Sequence, residues 1–300
     1  MKILALFVAL ILERMASQLF HWRELRWLDP LFDVFLVRSQ QLAKVTPYMW
    51  IVLALLVAVA PVIGMRVLLD EAWLGLPYFL LSAGVLFLSL GPEDIGEEVD
   101  RWSAAVRSGD EEDERRNAKA LLERRFRDRE SARESVSGAV FVQANNRIFS
   151  VVFWFVLLGP VGAWLFRVSD LARRRALFQA ARNDDDAEVA PDCERRADDV
   201  HALLAWVPAR MTALGYMFAG NYDEGKNAWQ ELDTSDSIGR HNEKLLESVG
   251  TASLNLAQGS DEPATDWAIR SARCAKNLAL RTVWFWLVGV ALLTIAGIAI

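Results

Sequence analysis

Three hundred residues and 33.7 kDa allow one large domain or two ordinary ones, but 53% hydrophobic residues, 12 Trp, 15 Phe and a mean hydropathy of +0.17 exclude a disordered chain and indicate a membrane protein. With 33 Lys and Arg against 39 Asp and Glu the net charge is -6, which excludes a broad basic surface and with it a nucleic-acid partner. The two cysteines, Cys193 and Cys274, have no C-x-x-C and no nearby His pair, so neither a disulfide scaffold nor a zinc site is expected and the chain suits a reducing compartment.

A helix needs about 20 apolar residues to cross the hydrocarbon core. Residues 1–12 are apolar with one Lys, like a signal peptide, but Glu13, Arg14 and Met15 stand where a small-residue cleavage site belongs. A retained, membrane-seated helix is expected there. Residues 48–69 carry only Arg66, near the end, where it can snorkel into the headgroups. Residues 73–90, 148–166 and 283–300 carry no charge at all, and Trp50, Trp73, Trp164 and Trp284 fall at span ends, where an indole prefers the interface. Residues 203–219 hold Pro208 and Arg210 at their middle, so a re-entrant or half-buried helix is expected rather than a free crossing. Together these segments predict an all-α, polytopic integral membrane protein with cytoplasmic helical hairpins, surrounded by membrane lipids.

Lys and Arg orient the spans, because cytoplasmic flanks keep the positive charges. They are dense between Gly91 and Arg147 and absent from residues 70–72, so the 48–69/73–90 hairpin points its tip outward. After Phe166 the rule conflicts with a simple crossing, since Arg167, Arg173, Arg174 and Arg175 follow at once. Either Gly159-Pro160-Val161-Gly162 breaks that helix into a re-entrant pair, or the long loop escapes the rule.

The domain reading runs in five parts: a membrane region over 1–90, an amphipathic helical loop over 91–147, a membrane core over 148–219 with a mobile loop at 182–192, a helical subdomain over 220–282 and a last span over 283–300. In the loop, Val99, Trp102 and Val106 recur at helical spacing, Ser108-Gly109-Asp110 supplies a stop and a cap, and Ala118, Leu121, Leu122 and Phe126 continue a second stripe. Helices ending at Gly220-Asn221, then over 222–232 and 241–258, build the subdomain. No strand pattern appears.

Residues 220–227 fit G-x-x-x-x-G-K and then fail, with Asn227 where Ser or Thr should hold magnesium and Asp223 and Glu224 where phosphate would sit. A helical turn is expected instead of a phosphate loop. His21, His201 and His241 form no metal-binding pair and no nucleophile elbow exists, so neither metal nor other cofactor is expected, and no catalytic residue. The more informative set is Gln143, Asn145, Asn146 and Arg147, before the third span. Helix capping and interhelix hydrogen bonds account for them. The alternative is a polar ligand pocket at the cytoplasmic membrane face in which Glu13, Gln143, Asn146 and Arg210 converge, suited to an anion such as a phospholipid or a cell-wall fragment.

LILERM…FHW at 10–22, QANNRIFSVVFWFVLLGPVGAWLFR at 143–167, LLAWVPARMTALGYMFAGNYDEG at 203–225 and the hydrophobic tail resemble the AmpE family. The resemblance implies a multi-pass protein of the bacterial inner membrane that modulates β-lactamase induction, with a possible protein partner in envelope signalling, and a kinship with the CobD/CbiB membrane ligases of cobalamin assembly. Val207-Pro208-Ala209-Arg210 matches the I-P-A-R segment of those enzymes. Their Glu-Asn-x-x-Asp pattern falls on Val142, Gln143 and Asn146, and their N-T-L-D-S segment near Asp170–Arg174 with Arg173 replacing the acid. A ligase handling phosphate and magnesium needs such carboxylates, so the resemblance implies a non-catalytic scaffold that retains a pocket; the alternative is a ligase of the adenosylcobinamide-phosphate synthase type.

Overall fold

The computed structural model describes residues 25–41, 48–69, 76–90, 94–123, 129–182, 190–232 and 237–295, which divide into two compact units. Every regular element among them is helical, and three helices, Met49–Leu69, Glu130–Leu158 and Glu194–Ala219, are long and apolar enough to cross a membrane. The fold is therefore all-α, and the chain is a polytopic membrane protein. The helix expected at 1–12 and the hairpin tip at 70–73 lie outside the described residues.

The first unit takes in Met1–Pro92, Ser150–Ala205 and Leu293–Ile300. A short helical turn, Arg26–Leu28, leads into α1 (Asp29–Gln41), followed by α2 (Met49–Leu69) and α3 (Leu76–Ser89). α7 (Ser150–Leu158) and α8 (Pro160–Arg182) follow later in the chain, and α8 is the element on which α1, α2, α3 and α7 pack. Small residues allow the approach: Ala54 and Ala58 on α2 and Ala172 and Ala176 on α8 are all buried. The Trp164 indole N–H donates to the Ala58 carbonyl at 2.9 Å. Leu53, Leu56, Val57 and Ile63 on α2 are exposed, which is what a lipid-facing surface looks like.

The apolar stretch 148–166 is not one helix. Gly159, at φ 70°, ends α7 by donating its N–H to the Phe155 carbonyl, and Pro160 starts α8, where its missing N–H costs nothing. α7 and α8 then pack on each other so closely that a Cβ at Gly162 would sit 2.3 Å from the Trp154 carbonyl oxygen. The break is the one the Gly-Pro-Val-Gly sequence offered.

Proline has the opposite outcome in α9 (Ala190–Ala219), an unbroken helix of 30 residues with Pro208 inside it. The expected re-entrant segment is the end of a helix long enough to cross. Pro208 has no N–H to give the Leu204 carbonyl one turn back, but the Trp154 indole N–H donates to that carbonyl at 3.1 Å. A side chain supplies the bond the helix lacks. The mobile loop expected at 182–192 falls largely on residues 183–189, outside the described set, and α9 is already helical from Ala190.

The second unit takes in Glu93–Phe149 and Trp206–Leu292. α4 (Ile95–Ser108) and α5 (Glu111–Leu122) form the expected hairpin: Gly109 is left-handed at φ 72°, and the Asp110 carboxylate accepts from the N–H groups of Glu112 and Asp113. Val99, Trp102, Ala118 and Leu121 are buried; Phe126 lies outside the described residues. They pack with α6 (Arg129–Ala144) and a π-helical turn, Asn145–Phe149. α10 (Tyr222–Gln230), α11 (Ile238–Leu254) and α12 (Ala264–Ile295) complete the unit. Asn221 caps α10 by accepting from Asp223 and Glu224 N–H, so the near-match to a phosphate loop is a helix start. Gly250 admits Phe141, whose ring would lie 2.4 Å from a Cβ there, and Phe141 stacks on Tyr216 at 4.7 Å. Ala268, Ala272, Ala275 and Ala279 form a buried stripe on α12, while Trp284, Phe285, Val288 and Leu292 are exposed farther along it. The last span expected at 283–300 begins in this helix, and residues 296–300 lie outside the described set.

Candidate functional site

The polar set before the third apolar run occupies the π-helical turn. A π turn widens the helix by one residue and re-aims its side chains, a distortion frequent at functional positions. Here it buries Asn145, Asn146 and Arg147 together. Arg147 is 4% exposed, and its guanidinium is enclosed: Nε donates to Gln143 Oε1 at 2.9 Å, Nη1 lies 2.9 Å from Glu98 Oε1 and Nη2 lies 3.8 Å from Glu123 Oε1. Asn145 Nδ2 donates to Asn146 Oδ1 at 3.2 Å, and the Thr212 hydroxyl donates to Asn145 Oδ1 at 3.0 Å. The Tyr216 hydroxyl, one turn farther along α9, donates to the Phe141 carbonyl at 2.9 Å. A buried, hydrogen-bonded ion-pair centre of this kind fixes how α4, α6 and α9 meet.

Arg210 stands apart from that centre. Its Nη1 donates to the Trp206 carbonyl at 2.9 Å and to Asn242 Oδ1 at 3.0 Å, and its guanidinium lies 4.0 Å from the centre of the Trp206 ring. The side chain is half-buried among the exposed apolar residues Trp206, Val207, Met211 and Leu214. Its Nε and Nη2 make no hydrogen bond to a described residue. Of the four residues expected to converge, Glu13 lies outside the described set, Gln143 is bound to Arg147, Asn146 to Asn145, and Arg210 to Asn242; no direct hydrogen bond joins Arg210 to Gln143 or Asn146.

In the first unit a second buried polar centre forms around Asp170 on α8. Arg167, Arg173 and Arg174 sit one turn before and one turn after it, at 3.1, 3.2 and 2.9 Å from its oxygens. Ser169 Oγ and His201 Nδ1 lie 3.1 Å apart, and the His201 ring stacks on Phe166 at 4.9 Å. Burial works against the charged carboxylate, but the guanidinium groups of Arg174 and Arg173, with His201 and Arg167, outweigh it and hold Asp170 far below the usual carboxylate range.

The positions that the resemblance sets against acids of the ligases have other partners. Val142 is buried and apolar, Asn146 accepts from Asn145, and Arg173 pairs with Asp170. Among the described residues no three His, Cys, Asp or Glu side chains group closely enough to hold a metal ion. Sequence reasoning had located the cluster at 143–147 but not Glu98, Glu123, Asn242 or the Asp170 centre. A signal for Glu98 existed: with Ile95 and Trp102 it falls on one apolar stripe of α4, where a carboxylate must find a cation.

Two proteins named "Cobalamin biosynthesis protein CobD" are similar to part of the chain. That of Stutzerimonas stutzeri is 26% identical over 154 residues, 51% of this chain and 48% of its own, and that of Chromobacterium violaceum is 24% identical over 153 residues, 50% and 47%. The chain thus spans about half the length of the curated relatives it matches. No solved structure matches it. The family profile described as "Regulatory signalling modulator protein AmpE" matches residues 1–300, from end to end, and on that match the chain belongs to the AmpE family.

Proposed function

We propose that this chain is a non-catalytic regulatory or sensor protein of the bacterial inner membrane, linked to β-lactamase induction and cell-wall signalling and built on a scaffold like that of CobD. One observation carries the reading. At the three positions that the kinship aligns with ligase acids, the side chains are an apolar valine, an amide and an arginine, each engaged with its own neighbours. Phosphate-transferring chemistry with magnesium needs carboxylates that face the substrate, and these residues supply none.

Arg210 is the residue through which an anion would act, in keeping with a phosphate-bearing lipid or a cell-wall fragment as ligand. Trp206 holds the guanidinium from one face, Asn242 takes one nitrogen, and Nε and Nη2 remain to form a fork for a carboxylate or phosphate. Glu13, Gln143 and Asn146 would shape the surroundings, and signalling would pass to a protein partner in the envelope.

The test is genetic. Deleting the chain's gene should alter β-lactamase induction by a β-lactam, and Arg210→Ala should reproduce the deletion while the protein still inserts at normal abundance. An unchanged response on deletion would remove the regulatory reading. The likeness to CobD over half the chain favours a second reading, a ligase of cobalamin assembly. Restoration of growth in a cobalamin-synthesis mutant by this chain would establish that reading in place of the first.

A further inference from the structure

In the second unit the first turns of α6 and α12 line a cavity of about 550 Å³, within the ~300–1,000 Å³ of small-molecule sites. Glu130, Glu134 and Ser137 lie at i, i+4 and i+7, on one face of α6, and all three line it. Arg133 lines it too, but its charge is neutralised within the wall. Its Nε and Nη2 donate to the two oxygens of Glu114 at 2.6 and 2.9 Å, and its Nη1 donates to Thr265 Oγ1 at 3.2 Å. Glu130 and Glu134 are exposed and form no ion pair with a described residue. Among the described lining residues the balance is therefore negative.

Its inner wall is set up to accept hydrogen bonds. Ser137 and Ser271 both line the cavity and are more than nine-tenths buried, at 7% and 6% exposure, and neither hydroxyl has a hydrogen-bond partner among the described residues. Trp267 and Ala268 add apolar surface, and the Arg270 guanidinium, which pairs with Glu262, already lies 4.8 Å from the centre of the Trp267 ring. An anion would be repelled by the glutamates. A bare metal ion would find only two carboxylates in a space far larger than its coordination sphere.

We propose that this cavity binds a small aliphatic diamine. Each ammonium group faces one of the two carboxylates, whose Cβ atoms stand about 5–6 Å apart at i, i+4 spacing. The methylene chain lies along Trp267 and Ala268, and remaining N–H donors reach the hydroxyls of Ser137 and Ser271. The site is independent of the signalling reading above and of Arg210.

Titration calorimetry of the full chain in detergent with putrescine tests it. One-site binding is expected, weakened at least about tenfold in the Glu130→Gln/Glu134→Gln double variant, a loss of about 1.4 kcal/mol. Butylamine, with one ammonium group, should bind about tenfold more weakly than putrescine. Both glutamates are exposed, so the variant should keep its unfolding temperature and the loss will not reflect misfolding. Arg210→Ala should bind putrescine as the natural chain does. The proposal is overturned if the natural chain gives no putrescine isotherm at millimolar ligand, or if the double variant binds it unchanged, which would mark a general attraction of an acidic surface. It is likewise overturned if butylamine binds equally well.

Discussion

Arg147 carries its charge at a position almost closed to solvent, and three oxygens keep it there: Gln143, Glu98 and Glu123. Removing one partner of a buried ion pair leaves the other charge desolvated and unanswered, which costs about 3–5 kcal/mol. Arg147→Ala should lower stability by up to that amount, since Glu98 would lose its 2.9 Å pair while staying buried. Thermal unfolding in detergent measures it; a loss below about 1 kcal/mol would mean that water or the other contacts of Glu98 answer its charge. Replacing Arg147 and Glu98 together by Met and Leu should recover much of the loss, because an apolar pair of similar volume carries no desolvation cost. If the double variant keeps β-lactamase induction, the centre is a structural fastening and any ligand site lies elsewhere, nearer Arg210.

At the scale of elements, the junction of α7 with α9 shows how a helix keeps a proline. The Trp154 indole N–H answers the Leu204 carbonyl that Pro208 cannot. Trp154→Phe should leave that carbonyl without a partner, at about 1–3 kcal/mol. Adding Pro208→Ala restores a backbone N–H and should cancel most of the loss. Additive effects in the two-site cycle would separate the residues and defeat the account. A second fastening joins α1 to α8: Arg175 donates from Nε and Nη2 to the two oxygens of Asp33, each at 2.6 Å, and Gln179 adds a bond. The hydrogen bonds from Arg175, against a smaller opposing effect of burial, hold the Asp33 carboxyl below its usual value. A depressed carboxylate stabilises the fold above the unfolded value of about 3.9 and loses that contribution as pH falls through the folded one. Because both side chains are partly exposed, the loss should be about 1 kcal/mol or less. Asp33→Asn should flatten this part of the pH–stability curve below about pH 4.

These elements also mark what the sequence made legible. The α4–α5 hairpin could be read because its signals are local: an apolar period, a left-handed Gly109 and a capping Asp110 lie within a few residues of one another. The break at Gly159-Pro160 could be read for the same reason. The continuity of α9 could not, since it depends on an indole from a distant segment. The polar cluster at 143–147 was visible as a group, but its partners were not. Only the fold brings Glu98 and Glu123 to Arg147, or Asn242 to Arg210.

The molecule as a whole must place its charged surfaces outside the hydrocarbon, and the distribution of arginine and lysine says on which side. Arg101, Arg107, Arg115, Arg116 and Lys119 all stand exposed on α4 and α5, between the apolar helix α3 and the long apolar span Glu130–Leu158. Translocating so many basic groups in a connection of this length runs against the positive-inside tendency. The hairpin should therefore lie in the cytoplasm. Ser108, exposed in the last turn of α4, reports on it without disturbing the core. In a chain with Cys193 and Cys274 replaced by Ser, Ser108→Cys should resist a membrane-impermeant maleimide in intact cells with a permeabilised outer membrane and react once the inner membrane is opened. Reaction in intact cells would reverse the orientation of the hairpin, and with it the side from which Arg210 could meet an anionic ligand. Protection in both conditions would instead show that the hairpin tip is covered by a partner, because the residue itself is open to solvent in the isolated chain.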